Sequence, residues 1–418
     1  MKLKYGEEEL NFDQSRLTKS RVLLPNEQRG VADPLKAVKD SLQNPINSLS
    51  IAELVNEELP DKVVIIVNDV SRPTPYEYLL PPLLEELHKV GIEQENITFV
   101  IATGIHEPNT KEQNLSIFGE KLLDEYKFIS HNPDENLVDL GKLSSGNRLY
   151  LNREVVEADL LITLGVILPH YFAGFSGGRK SILPGVAGRE SIEYNHSHMV
   201  DLIGNLPPIE ENQISQEMLE AARKAGVDFI LNVVTNSNKE IVEVVAGNYK
   251  QAWQQGVNTS SEMYHVSLEE KADAAIVSAG GYPKDINFYQ AQKALDNADY
   301  ATKEGGTIIL AAECREGLGE NIFTDWLSSS TEPKDNLHRI KDKFVLGGHK
   351  AFAISKVAMK KDIILISDFD RETTEQLFAK KASSISEALD YVEEKHGQDY
   401  TSVIMPQGGL AVPVVDKE

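Results

Sequence analysis

The chain has 418 residues, 41% of them apolar and 26% charged; this is the profile of a folded protein too long for one core, so two domains are expected. A formal charge of −23 argues against a general nucleic-acid or anionic-membrane binder, and any anionic ligand would need a local cationic pocket. The single cysteine, Cys314, excludes an intrachain disulfide and cysteine-rich metal sites.

The first residues, MKLKYGEEELNF, carry acids where a signal peptide needs an apolar core. No apolar run approaches the roughly 20 residues that cross a bilayer, so a cytoplasmic protein is expected. Residues 1–60 read as short strands and loops, with helical segments at Pro34–Gln43 and Ile51–Glu57. Asp61–Asp69 is a β-branched run without polar alternation, as in a strand covered on both faces. Thr74–Gly91 reads as a helix in which a proline pair starts a new turn, Asn96–Gly104 as a second buried strand, and Thr110–Tyr126 as a helix. Ala158–Leu164 is a third strand; Ser215–Gly226 is helical, Phe229–Asn236 a strand, and Tyr249–Val266 closes this half. A new series begins near Lys271 with DAAIVSAGG, INFYQAQKALDNADYAT and GGTIILAAE, and ends with KDIILISD, SISEALDYVEEKHG and TSVIMPQGG.

Strands alternating with helices predict an α/β protein with a mainly parallel sheet in each half, residues 1–270 and 271–418. Four apolar strands end in polar clusters: Asp69-Val-Ser-Arg72, Thr103-Gly-Ile-His106, the loop holding His170, and GGYPKDINFYQ. Parallel sheets bind ligands beyond the carboxyl ends of their strands, so an active site in the interdomain cleft is expected.

The richest stretch is Gly165–His198, with three histidines, six glycines and a Gly-Gly-Arg-Lys turn. Closely spaced glycines let backbone amides approach an anion, and Arg179 and Lys180 suit a phosphate. SGGRK lacks the leading glycine and following Ser/Thr of a Walker loop, so ATP hydrolysis is not supported. Each cluster also has a plain structural reading. Asp69 and Arg72 can cap the next helix or hold a carboxylate; His106 and His170 can be packed or solvated histidines or general bases. HSH at His196–His198 can be a polar turn or a metal ligand, and Gln290 and Lys293, three apart on a helix, can form a solvated face or contact substrate.

Together DVSRPTP, ATGIHEP, PHYFAGFSGGRKSILPGVAG with NHSH, and GGYPKDINFYQAQK resemble, in order and spacing, the nickel-dependent lactate racemase family. The resemblance implies a nickel-pincer nucleotide, a pyridinium mononucleotide with two sulfur-bearing arms, joined to Lys180 as a thioamide and made by separate cofactor-synthesis proteins. It implies His196 as the protein ligand to nickel and His106 and His170 as catalytic bases on either side of the substrate carbinol. Arg72, Tyr289, Gln290 and Lys293 would meet the substrate and Asp69 would support them. Ser176, Gly177, Gly178 and Arg179 would surround the ribose phosphate. The expected activity is racemisation of a 2-hydroxy acid, most simply D- and L-lactate, by proton-coupled hydride transfer. Three alternatives remain: a racemase or epimerase of another 2-hydroxy or sugar acid, a zinc hydrolase using histidines 106, 170 and 196, and a non-catalytic carrier of a nucleotide-like cofactor. Leu346–Ala353 is a further candidate for closing over substrate.

Overall fold

Uninterrupted runs of Val, Ile and Leu become the central strands of two six-stranded sheets, since each is covered on both faces. The computed structural model describes every residue except 18, 56–58, 203–205, 346 and 416–418, so Glu57, at the end of one expected helix, and Leu346 lie outside the described residues. The chain divides into two compact units: Glu27–His198 with Pro207–Glu262, and Met1–Asn26 with Met199–Leu206 and Met263–Glu418.

In the first unit, strand Val63–Asn68 sits mid-sheet between Ile97–Ala102 and Leu160–Val166, all three parallel. Lys127–Ser130 extends one side. Phe229–Thr235 and then Ile241–Gly247 extend the other, the last strand antiparallel. The chain thus builds outward from Val63–Asn68 in one direction and restarts beside it in the other. Such a reversal puts the ligand-binding position beyond the carboxyl ends of the two strands flanking it, here Val63–Asn68 and Leu160–Val166. Helix Tyr76–Lys89 runs through Pro81 and Pro82, where the sequence suggests a fresh turn. Fully buried Leu79, Leu80, Leu83 and Leu87, on both sides of the prolines, hold it to the core at about 2 kcal/mol each.

The second unit has Ala272–Ser278 mid-sheet, with Thr302–Ala311, Asp362–Ile366 and Lys380–Lys381 on one side and Thr401–Met405 on the other, all parallel. The outermost place beside Thr401–Met405 goes to Lys19–Val22. The first 26 residues therefore fold with the later half of the chain, where the sequence reading put them with residues 27–270. The reason is physical: a short polar strand completes this sheet's edge, and Leu3 is fully buried in its core. Among the described residues no helix is long and apolar enough to cross a membrane.

Candidate active site

Three neighbouring strand exits in the first unit carry the expected residues. Val63–Asn68 delivers Asp69, 4% exposed. Its Oδ1 accepts the Ser71 N–H at 3.0 Å and the Ser71 hydroxyl at 2.6 Å, while Oδ2 lies 2.7 Å from His106 Nδ1. His106 follows Ile97–Ala102 and keeps 45% of its side chain exposed. Burial pushes the Asp69 carboxyl up, but hydrogen bonds from His106 and Ser71 outweigh it and hold the group below its ordinary value. An ionised Asp69 can only accept, so His106 Nδ1 carries the proton and Nε2 is left as the base. Arg72, at the surface, donates through Nη1 to the Ser71 carbonyl and hydroxyl at 3.1 Å.

The loop after Leu160–Val166 gathers the other residues around one phenyl ring. Pro169–His170 pairs antiparallel with Gly174–Phe175, turning the intervening Phe172 inward to 3% exposure. Phe172 meets His170 edge-on at 4.5 Å and His196 edge-on at 4.9 Å, and Lys180 Nζ lies 5.4 Å from its centre. Tyr171 stacks on His170 at 5.1 Å. His196, on helix Arg189–Ser197, is buried, with Nδ1 3.2 Å from Asn195 Oδ1. Burial, then the Lys180 charge, pushes its pKa down to about 3, so the imidazole is neutral. The Lys180 amine is pushed well below its ordinary range by burial, then by the charges of Arg72 and Arg179, which enriches the nucleophilic free base. His170, Lys180 and His196 thus share one apolar neighbour, and Arg72 is close enough to act electrostatically on Lys180.

The expected phosphate cradle is arranged differently. Arg179 is fully buried and points into the fold: its guanidinium donates to the carbonyls of Ala173 at 2.7 Å, Phe175 at 3.3 Å and Ser215 at 3.4 Å, and to Ser215 Oγ at 2.9 Å. It also stacks 3.8 Å over Trp253. Burial lowers its pKa to about 9, which leaves it charged at neutral pH. The Ser176 hydroxyl donates to the Val166 carbonyl at 2.7 Å and accepts the Leu168 N–H at 2.9 Å. Gly178 N–H donates to Asn232 Oδ1 at 3.2 Å. Gly177 and Gly178 have φ of +73° and +49°, and a Cβ would come within 2.7 Å of Ile167 and 2.8 Å of Trp253 respectively. These four residues build the loop that presents Lys180; the arginine and serine expected to face an anion are spent on backbone carbonyls.

In the second unit, Tyr289 and Gln290 begin helix Phe288–Ala301, whose N-cap Asn287 accepts the Gln290 N–H at 3.0 Å. The three-residue spacing brings Lys293 Nζ to 3.3 Å from Gln290 Oε1. Lys350, within the candidate stretch Leu346–Ala353 but not singled out there, lies on helix Gly348–Ala358: its ammonium donates to the Tyr289 carbonyl and lies 3.9 Å from the centre of the Tyr289 ring. Sequence alone passes over Ser71, although it adjoins Arg72, whereas the aromatic pair Tyr171-Phe172 is expected to desolvate His170 and does pack against it.

Among the described residues no three His, Cys, Asp or Glu side chains converge where they could hold a metal ion, so histidines 106, 170 and 196 do not make a zinc site. One buried neutral imidazole beside a lysine of suppressed basicity fits a different demand. These two residues fit the group that the family resemblance implies, in which His196 would be a protein ligand to nickel and Lys180 the attachment point of the sulfur-bearing nucleotide.

Comparison with known proteins gives the family and the fold. A family model described as the lactate racemase N-terminal domain matches residues 5–204, and one described as the lactate racemase C-terminal domain matches residues 268–414. The lactate racemase of Thermoanaerobacterium thermosaccharolyticum is 37% identical over 380 residues, 89% of this chain and 88% of that protein. The lactate racemase of Lactiplantibacillus plantarum is 34% identical over 385 residues, 89% of each. The structure of the T. thermosaccharolyticum apoprotein superposes with a TM-score of 0.90 over 99% of both chains, and a Thermotoga maritima protein, 17% identical with a TM-score of 0.66, shares the fold. The chain belongs to the lactate racemase family and is an enzyme of the isomerase class.

Proposed function

We propose that this enzyme interconverts D- and L-lactate with a nickel-pincer nucleotide attached at Lys180 and ligated through nickel to His196. The observation that carries the reading is the grouping of Lys180, His196 and His170 around Phe172, with the amine and one imidazole both driven toward their neutral forms. A neutral amine can be acylated and a neutral imidazole can donate a lone pair to a metal; burial favours both. When bound, the nucleotide supplies a reversible acceptor for the C2 hydride.

The chain's own residues then manage protons and orientation. His106, with Nδ1 fixed by Asp69, takes the hydroxyl proton of one enantiomer at Nε2 as C2 becomes a ketone carbon. His170 returns a proton to the oxygen as the opposite enantiomer forms, and the roles exchange in the reverse direction. Two bases are needed because the enantiomers present their hydroxyls on different sides of one hydride acceptor. Arg72 offers a planar fork for the substrate carboxylate, and Tyr289, Gln290 and Lys293 are assigned to binding and orientation. The cofactor-synthesis proteins of the host are the partners required for loading.

The test is expression in cells that make the cofactor, followed by metal analysis, intact mass and polarimetry with L-lactate. The wild type should carry nickel and an adduct on Lys180 and racemise lactate; Lys180→Ala should lose all three. A Lys180→Ala protein that is loaded and active overturns the assignment.

A further inference from the structure

A buried chain of amides and one carboxyl runs behind His196. Asn195 is fully buried, and its Nδ2 donates to Glu217 Oε2 at 3.1 Å and to the Ile214 carbonyl at 3.3 Å. Both partners are acceptors, which fixes the amide: its NH2 must face them and its Oδ1 must face His196 Nδ1, 3.2 Å away. An amide oxygen has no hydrogen to give, so Nδ1 must be the N–H donor. The single hydrogen of a neutral imidazole is then committed, and Nε2 keeps its lone pair.

Glu217, 3% exposed on helix Gln213–Ala225, is itself held from the far side. Its Oε1 accepts from Asn147 Nδ2, which also donates to the Ser191 carbonyl at 2.9 Å. Three separate elements thus meet in one network: the turn before Arg148–Asn152, the helix bearing His196, and the helix bearing Glu217. A buried carboxyl is costly to keep where apolar side chains would pack. At this place it removes the choice of tautomer.

We infer that Glu217, acting through Asn195, is a positioning residue that locks His196 in the Nδ1–H tautomer and so makes Nε2 the unprotonated nitrogen that a metal requires. This rests on the proposed role of His196 as the nickel ligand. The consequence is specific to the carboxyl group. In Glu217→Gln the new NH2 must face one of the two asparagine amides. When it faces Asn195, that amide rotates, turns its own NH2 toward the ring and favours the Nε2–H form, which blocks coordination.

The experiment has two independent readouts. In 15N-histidine-labelled apoprotein, with the His196 signal identified by its loss in His196→Asn, the wild type should show a protonated Nδ1 and an unprotonated Nε2. Glu217→Gln should show a mixture or the inverse. In cofactor-loaded protein, nickel retention against a chelator, normalised to adduct on Lys180, should fall about 10- to 100-fold in Glu217→Gln, the range for lost support of a metal-bound histidine. An Nε2–H tautomer in the wild type overturns the inference, as does an unchanged tautomer with unchanged nickel retention in the variant. The wild-type spectrum needs no variant to fold. A loaded wild type without nickel would refute the role proposed for His196, yet the spectrum would still decide the tautomer.

Discussion

His106 stands 45% exposed with an ionised carboxylate against Nδ1, whereas His196, in the same unit, is 7% exposed with an amide oxygen against Nδ1 and a phenyl edge beside the ring. Both arrangements put the hydrogen on Nδ1, but they prepare Nε2 for different tasks. A carboxylate stabilises the imidazolium that forms when Nε2 takes a proton, so the Asp69 pair suits a base that cycles. A neutral amide in a buried setting gives no such help, and burial itself opposes protonation, which suits the lone-pair donor proposed here. On the proposed assignment, one residue type does two jobs because the partner at Nδ1 differs in charge and the surroundings differ in access to water.

That contrast can be broken directly by exchanging the two histidines for asparagine, the largest effect expected among these variants. His106→Asn should lower kcat about 10²- to 10⁴-fold, the usual worth of a positioned general base, while keeping nickel at the wild-type ratio to adduct. His196→Asn should lose nickel together with activity. Metal analysis beside polarimetry separates the two, and equal nickel loss in both variants would refute the division of labour.

A smaller effect should come from Asp69→Asn, which replaces an acceptor with an amide that can donate to His106 Nδ1. Racemisation should fall about 10- to 100-fold, by analogy with carboxylates that orient a functional histidine. The same variant has a signature in stability. The Asp69 carboxyl is lowered by its hydrogen bonds, so the unfolded state binds the proton more readily. Its contribution is therefore complete above the ordinary carboxylate range and is lost as pH falls through the lower folded value. Denaturation midpoints measured from pH 6 down to pH 3 should drop less in Asp69→Asn than in the wild type; parallel curves would show that Asp69 gains nothing from His106 and Ser71.

Much of this was readable from sequence, for a physical reason. Strands covered on both faces must be apolar throughout, so VVIIV, TFVIA and LLITL announced a parallel sheet, and the polar residues just past them marked its ligand-binding end. Less visible were features set by distant partners. Lys19–Val22 is a strand because Thr401–Met405 offers it an open edge, which KSRV cannot reveal. Asn147 meets Glu217 across seventy positions, and no local spacing records that. The Gly-Gly-Arg-Lys turn shows the ambiguity most clearly, for two adjacent cations read alike until the fold sends one inward.

Arg179 and Lys180 therefore supply the finest version of the comparison, one cation spent on structure and its neighbour proposed for chemistry. Arg179→Lys keeps the charge but loses the planar fork, and a lysine cannot serve three carbonyls and a hydroxyl in that geometry while stacking on Trp253. Leaving buried carbonyls short of donors should cost about 2–4 kcal/mol of folding stability, read by urea denaturation. Cofactor loading and activity per loaded molecule should change little, because the guanidinium is spent on the carbonyls of Ala173, Phe175 and Ser215, on the Ser215 hydroxyl and on Trp253. The opposite pattern, stability intact and loading abolished, would mean that Arg179 turns outward to meet the nucleotide's phosphate. The two outcomes differ on both measurements, so this one conservative exchange tells a loop that binds an anion from a loop that folds around its own arginine.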